Sequence, residues 1–317
     1  MLTFLFKDCT VMLSVIGVVF AYGLTYLCSV TLDKFMPADQ GREFAVNGDK
    51  SRGKTRGVGL FFVSVFIFIA VIFGKIDSEC AVYLCLIFCG MMTGYLDDAA
   101  KTPWGEYKKG ILDLIIAILV AVNFLYHNSA VVSLAIFDIS FKISIPLYGV
   151  LIVILVWASI NVTNCTDGVD GLSTTLVLIS LTSMLVLGGN GPFLELVPFF
   201  MSALLAYLWF NASPSSQLMG DAGSRAMGLV LAITILQTKS PFMFLLFAAV
   251  IIVDGGLGLV KVSLKRFLKI SIFKNTRMPL HDHARKNLGW SDSQVVFRFA
   301  IIQVMISVCG LYLSLIN

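Results

Sequence analysis

The chain has 317 residues, of which 58% are hydrophobic and 13% charged, with a formal net charge of +4, and its mean hydropathy is +0.90. Soluble domains carry about 25% charged residues, so the composition excludes an ordinary soluble globular protein and points to an all-α polytopic membrane protein. The seven cysteines are odd in number, lie mostly in apolar runs and lack metal-ligand spacing; they read as small buried hydrophobes rather than a disulfide framework.

About 20 apolar residues cross the hydrocarbon. That length gives about ten expected spans in a single transmembrane domain over 1–317, near residues 11–30, 58–74, 79–96, 111–126, 145–160, 172–187, 194–211, 223–238, 241–260 and 294–316. The first is too long for a signal-peptide core and lacks a convincing small-residue cleavage site, so it is read as a retained span. Connections 31–57, 97–110, 161–171, 212–222 and 261–293 then share one side. The termini and the loops near 75–78, 127–144, 188–193 and 239–240 share the other. The first set carries seventeen Lys and Arg and the second four. The positive-inside rule places the first set in the cytoplasm and both termini outside.

The unusual polar clusters fall in that same first set. Asp97-Asp98 ends the third span, with Lys101 a turn later; alone, the pair could simply cap a helix. Asn161–Leu172 reads Asn-Val-Thr-Asn-Cys-Thr-Asp-Gly-Val-Asp-Gly-Leu. It is either a connector with two Asp-Gly turns or a ligand-binding loop offering amides, hydroxyls and the acids Asp167 and Asp170. Asn211 precedes Met219-Gly220-Asp221-Ala222-Gly223-Ser224. A helix starting there would present amides to an anion, with Asp221 as cap or ligand. His281-Asp282-His283 lies in the most basic loop; a pair two apart is a weak metal signature. Asp113 and Asp254 interrupt apolar runs and are functional candidates by default, but their nearness to expected span ends predicts that both are wet.

Taken together, these clusters describe one cytoplasmic face with acids, bases and histidines. Several acids and no thiolate ligands favour a hard cation, and Mg²⁺ typically takes one or two carboxylates plus substrate phosphates. A site at the membrane face implies one polar and one lipid substrate, and phosphoryl transfer between them is the natural chemistry.

The sequence resembles the polyprenyl-phosphate N-acetylhexosamine-1-phosphate transferases. The resemblance runs through Gly94–Asp98, Asn161–Leu172, Leu208–Asn211, Met219–Ser224, Met278–His283, Gly289-Trp290 and Val295–Phe299. It implies a Mg²⁺-dependent enzyme of the bacterial inner membrane that moves phospho-N-acetylmuramoyl-pentapeptide from UDP to undecaprenyl phosphate, making lipid I and UMP for peptidoglycan. It implies catalytic roles for Asp97, Asp98, Asp221 and His281, one of the first two acids being the base, and Mg²⁺ on Asp221. It implies substrate binding by Lys101, Asn161, Asn164, Asp167, Asp170, Asn211 and His283. No nucleic-acid partner is expected, and a homodimer is left open.

The chain departs from the family pattern at Asp282, where a third His is usual, and at Leu218, where many members have an aromatic. Cys165 and the first cytoplasmic loop, Ser51–Gly59, also depart from it. A sister transferase that carries another N-acetylhexosamine-1-phosphate is the alternative. A transporter would instead place paired charges and broken helices near the midplane.

Overall fold

The structure is a computed structural model that describes residues 1–2, 10–39, 41, 51–100, 102, 104–273 and 275–316. Its helices are α1 (Thr10–Thr31), α2 (Gly59–Phe73), α3 (Ser78–Asp98), α4 (Glu106–His127), α5 (Ile145–Thr166), α6 (Leu172–Leu187), α7 (Val197–Asn211) and α8 (Gly220–Gln237). They continue with α9 (Pro241–Phe247) and α10 (Ala249–Leu268), then α11 (Leu280–Lys286) and α12 (Asp292–Ile316). Among the described residues, five helices are long and apolar enough to cross a membrane, and a sixth span results if α9 and α10 count as one. The chain is thus an all-α polytopic membrane protein.

Helix α8 is the axis of the molecule. All 18 of its residues are buried, as expected of a helix surrounded by others, and its main neighbours are α3 and α5. Small residues let the backbones close up: a Cβ on Gly94 of α3 would lie 2.3 Å from the Asp221 carbonyl oxygen. The end of α3, which carries Asp97 and Asp98, is thereby pressed against the start of α8.

Four connections differ from the sequence reading. The stretch 161–171, expected as a loop, is helical through Thr166, because α5 continues past the apolar run on its buried face of Val162, Thr163 and Thr166. There the Thr166 hydroxyl bonds back to the Val162 carbonyl. Only 167–171 remains as a turn, so Asn161 and Asn164 sit on helix. The span expected at 241–260 is broken: α9 and α10 meet at 74°, and α10 contains π-helical turns at Ile252–Gly256 and Leu264–Leu268. The loop near 127–144 holds an antiparallel hairpin, β2 (Val131–Leu134) with β3 (Ile139–Lys142). Finally, β1 (Thr55–Arg56) pairs in parallel with β4 (Gln217–Leu218), Arg56 opposite Leu218, which clamps the first loop beside the start of α8.

Asp113 and Asp254 were expected to be wet and are not. They are 2% and 1% exposed. Each faces the bundle interior and is paired there, Asp113 with Arg225 and Asp254 with His281.

Candidate active site

Three carboxylates meet where α3 ends and α8 begins. Asp97 accepts a hydrogen bond from the Trp104 amide at 2.6 Å and pairs with Lys109. Asp98 accepts from Arg56 Nε at 2.9 Å and from the Ala222 amide at 3.2 Å. Asp221, in the first turn of α8, has Lys109 3.2 Å from Oδ2, Arg225 Nε 3.7 Å from Oδ2 and Arg56 Nη2 3.8 Å from Oδ1. The Asp98 side chain is fully buried, whereas Asp221 keeps 11% exposure. The Ala222 amide was expected to face an incoming anion. Asp98 already occupies it, because a buried carboxylate at a helix N-terminus is itself the favoured anion there. Gly220 makes this fit possible: its φ is +67° and a Cβ would lie 2.1 Å from Asp98 Oδ2.

Three cations bind this acid cluster. Arg225 Nη1 donates to Asp113 at 2.6 Å, which ties α8 to α4 and aims the guanidinium at Asp221. Lys109 bridges Asp97 and Asp221. Arg56 bridges Asp98 and Asp39, the latter at 2.9 Å. Burial opposes the charge on Arg56, but Asp98, Asp39 and Asp221 outweigh it and raise its pKa. Burial likewise pushes Asp39 upward, and hydrogen bonds from Ser51 and Arg56 bring it below the ordinary carboxylate value.

A second group lies on the turn after α5. Asp167 accepts from the Ser173 hydroxyl at 2.7 Å. Asp170 accepts from the Ser215 amide at 3.0 Å and pairs with Lys54 at 3.4 Å. Asn164 donates to the Ser224 hydroxyl on α8 at 3.0 Å, linking the two groups. Asn161 bonds back to the Trp157 carbonyl and lines a cleft of about 680 Å³ with Asn164, Lys109, Asp221 and Arg225. The cleft lining also includes the apolar side chains of Leu114, Val262 and Phe267.

The other expected residues divide. Asn211 is 3% exposed and spends its amide on the scaffold, accepting from the Gly171 amide and donating to the Gln217 carbonyl. His281 is buried against Asp254, whose Oδ1 accepts from the His281 amide and whose Oδ2 pairs with Nδ1, both at 2.8 Å. The His281 Nε2 therefore faces Gly168, where a Cβ would be 2.3 Å away. His283 does not join it. Two helical positions are turned about 200° apart, and the His283 ring instead accepts from the Arg277 amide at 3.3 Å. Lys101 lies outside the described residues.

Sequence reasoning missed Arg56, Lys109, Arg225 and Asp39 as site residues. Arg225 had a visible signal, since it stands four residues after Asp221 on one helix face inside an apolar run. Arg56 and Lys109 had been counted only for topology.

The donor set suits a small hard cation. The carboxylates offer hard oxygens, and five acids (Asp39, Asp97, Asp98, Asp113, Asp221) face three cations (Arg56, Lys109, Arg225), leaving an excess of negative charge. Among the described residues no three acids, imidazoles or thiols form a complete metal cage. Such a cation would then take its remaining ligands from phosphate and water, as Mg²⁺ does.

A family model described as glycosyl transferase family 4 matches residues 80–239. A phospho-N-acetylmuramoyl-pentapeptide-transferase of Treponema pallidum (strain Nichols) is 40% identical over 92% of this chain and 85% of its own length. Proteins of the same name from Borreliella afzelii (strain PKo) and Clostridium botulinum (strain Eklund 17B / Type B) are 30% and 28% identical. They cover 83% and 85% of this chain, and 82% and 86% of their own lengths.

Proposed function

Because the chain belongs to glycosyl transferase family 4, among relatives named phospho-N-acetylmuramoyl-pentapeptide-transferase, we propose that it transfers phospho-N-acetylmuramoyl-pentapeptide from UDP to undecaprenyl phosphate. A lipid phosphate oxygen attacks the sugar-bearing phosphorus. The bond from that phosphorus to the bridging oxygen breaks, and UMP leaves with the electron pair. The observation that carries this reading is the convergence of Asp97, Asp98 and Asp221 on shared basic side chains beside a cleft lined by both polar and apolar side chains. Such a cleft suits a phosphate on a lipid tail meeting a nucleotide from water.

The site would hold Mg²⁺ through Asp221, the most accessible of the three acids. When bound, the ion would screen charge that develops on the departing UMP. Lys109 and Arg225 orient Asp221 and offer positive charge to phosphate. Asp97 and Asp98 are fixed by their own donors, and one of them accepts the proton of the attacking phosphate. Lys54 and Asp170, paired with each other, would meet the nucleotide's polar groups. His281, with Nε2 turned to the Asp167–Asp170 turn, positions that turn against substrate. The basic loops that frame the site support a cytoplasmic location for it.

The test is a radiolabel transfer assay with purified protein, undecaprenyl phosphate and Mg²⁺. A labelled UDP-muramoyl-pentapeptide should give labelled lipid and one UMP per turnover. Transfer from UDP-N-acetylglucosamine instead would assign the chain to the sister group.

A further inference from the structure

The first cytoplasmic loop departs from the family pattern, yet it delivers an arginine into the centre of the acidic site. Each guanidinium nitrogen of Arg56 addresses a different acid. Nε lies 2.9 Å from Asp98, Nη1 2.9 Å from Asp39 and Nη2 3.8 Å from Asp221. An arginine that merely joined two elements would be expected to hold one carboxylate with two parallel bonds. We propose that Arg56 is a resident counter-ion of the acidic site, which yields Asp221 to the divalent cation, releases Asp98 and then takes hold of the nucleotide's diphosphate. The proposal rests on the reading that this site holds a divalent cation at Asp221.

The geometry favours Arg56 over the other two cations for this part. Asp221 Oδ2 is held by Lys109 and Arg225, whereas the contact described for Oδ1 is Arg56, at 3.8 Å the longest of the set. The Arg56 contact is therefore the weakest of these three pairings and the one an entering cation displaces most readily. Arg225 is anchored by Asp113 with 6% of its side chain exposed. Arg56 keeps 21% exposed and can turn without unpacking a helix.

Its backbone cannot wander. Arg56 lies on β1 beside β4, and its amide donates to the Pro37 carbonyl. Asp39 is fixed in turn by the Gly41 amide at 3.2 Å and the Ser51 hydroxyl at 2.7 Å. Asp39 therefore serves as the pivot, and the bonds to Asp98 and Asp221 are the exchangeable ones. Once released, a planar guanidinium matches phosphate oxygens better than an ammonium does. Lys54 stands two residues away in the chain and pairs with Asp170, so the same loop brings a second cation to the site.

Two consequences follow for binding. The free enzyme should hold a divalent cation weakly, because Arg56 competes for the same oxygens. Nucleotide should strengthen metal binding by giving Arg56 another anion. Coupling of this kind is reciprocal.

Mn²⁺ binding, followed by electron paramagnetic resonance with and without UDP, tests this on the full chain. Arg56→Gln should bind Mn²⁺ at least about tenfold more tightly than wild type without UDP, and gain less when UDP is added. Equal or weaker Mn²⁺ binding by folded Arg56→Gln would overturn the proposal. Asp221→Asn serves as the control for the underlying reading. If it binds Mn²⁺ as well as wild type does, the metal assignment fails and the role of Arg56 falls with it.

A second measurement needs no variant. Phenylglyoxal modification of Arg56, mapped by peptide mass, should be slow in the free protein and faster with Mg²⁺ alone. It should be slow again with Mg²⁺ and UDP together. A rate indifferent to Mg²⁺ would overturn the exchange.

Discussion

Arg225 Nη1 donates to Asp113 Oδ1 across 2.6 Å, between side chains that are 6% and 3% exposed. The pair joins α8 to α4 and leaves Arg225 Nε buried, without a hydrogen bond and 3.7 Å from Asp221. Asp113→Ala would strand a guanidinium in the bundle and should destabilise the protein by about 3–5 kcal/mol, the usual cost of breaking a buried pair. Replacing both partners, as Asp113→Leu with Arg225→Met, should recover most of that stability while transfer activity stays low. Unfolding in detergent and the transfer assay together separate the two effects.

His281 and Asp254 make a second buried pair, built by the π-helical turn that brings Asp254 onto α11. Asp254 Oδ2 lies 2.8 Å from Nδ1, and Nε2 is turned toward Gly168. Asp254→Asn has nearly the same shape but can donate to Nδ1, which favours the other tautomer. The expected result is a fall in kcat of at least about tenfold with a near-normal melting temperature. An unchanged kcat would mean that the imidazole's proton position does not matter.

Gly220 is the tightest point of the acidic site. Alanine there would meet Asp98 at 2.1 Å in a backbone conformation of φ +67°, strained for any L residue. Gly220→Ala should cost about 1–3 kcal/mol and lower activity by displacing Asp98. Melting curves beside the transfer assay would check both, and a variant as stable and active as wild type would show that the acid can shift freely.

Much of this arrangement was legible in the sequence, and the gaps have physical causes. Apolar run lengths located the helices, since burial in lipid demands them. They did not show that α5 continues through Asn161–Thr166 or that α9 and α10 break at 74°. Helical hydrogen bonding can continue through polar residues whose neighbours are buried, and a bend depends on packing partners. Asp97, Asp98 and Asp221 stood out because acids beside apolar runs are rare. Their partners Arg56 and Lys109 did not, because basic residues in a polar connection look alike until folding selects which ones turn inward. His281 and His283 looked like a pair in sequence, and helix geometry sends them to different places.

The proposed orientation rests on loop charge and can be tested directly. In a background without native cysteines, Tyr107→Cys probes the face of the acidic site and Phe137→Cys probes the hairpin between β2 and β3; the native side chains are 66% and 64% exposed. An impermeant thiol reagent on intact cells should label position 137 and leave position 107 untouched until the membrane is opened. The reverse pattern would invert the topology.

Asp221 is proposed to hold the divalent cation for transfer between a nucleotide and a lipid phosphate. The most direct test is a Mg²⁺ titration of transfer rate in wild type, Asp221→Asn and Asp98→Asn, with melts to confirm folding. Asparagine keeps the volume and loses the charge. Asp221→Asn should therefore fall at least about 10²-fold, the scale of removing one strong electrostatic stabiliser, and recover a little as Mg²⁺ rises. Asp98→Asn should also be slow, but its rate should not respond to added Mg²⁺. If Asp221→Asn turns over normally at low Mg²⁺, Asp221 is not the metal ligand, and the account of the site is contradicted.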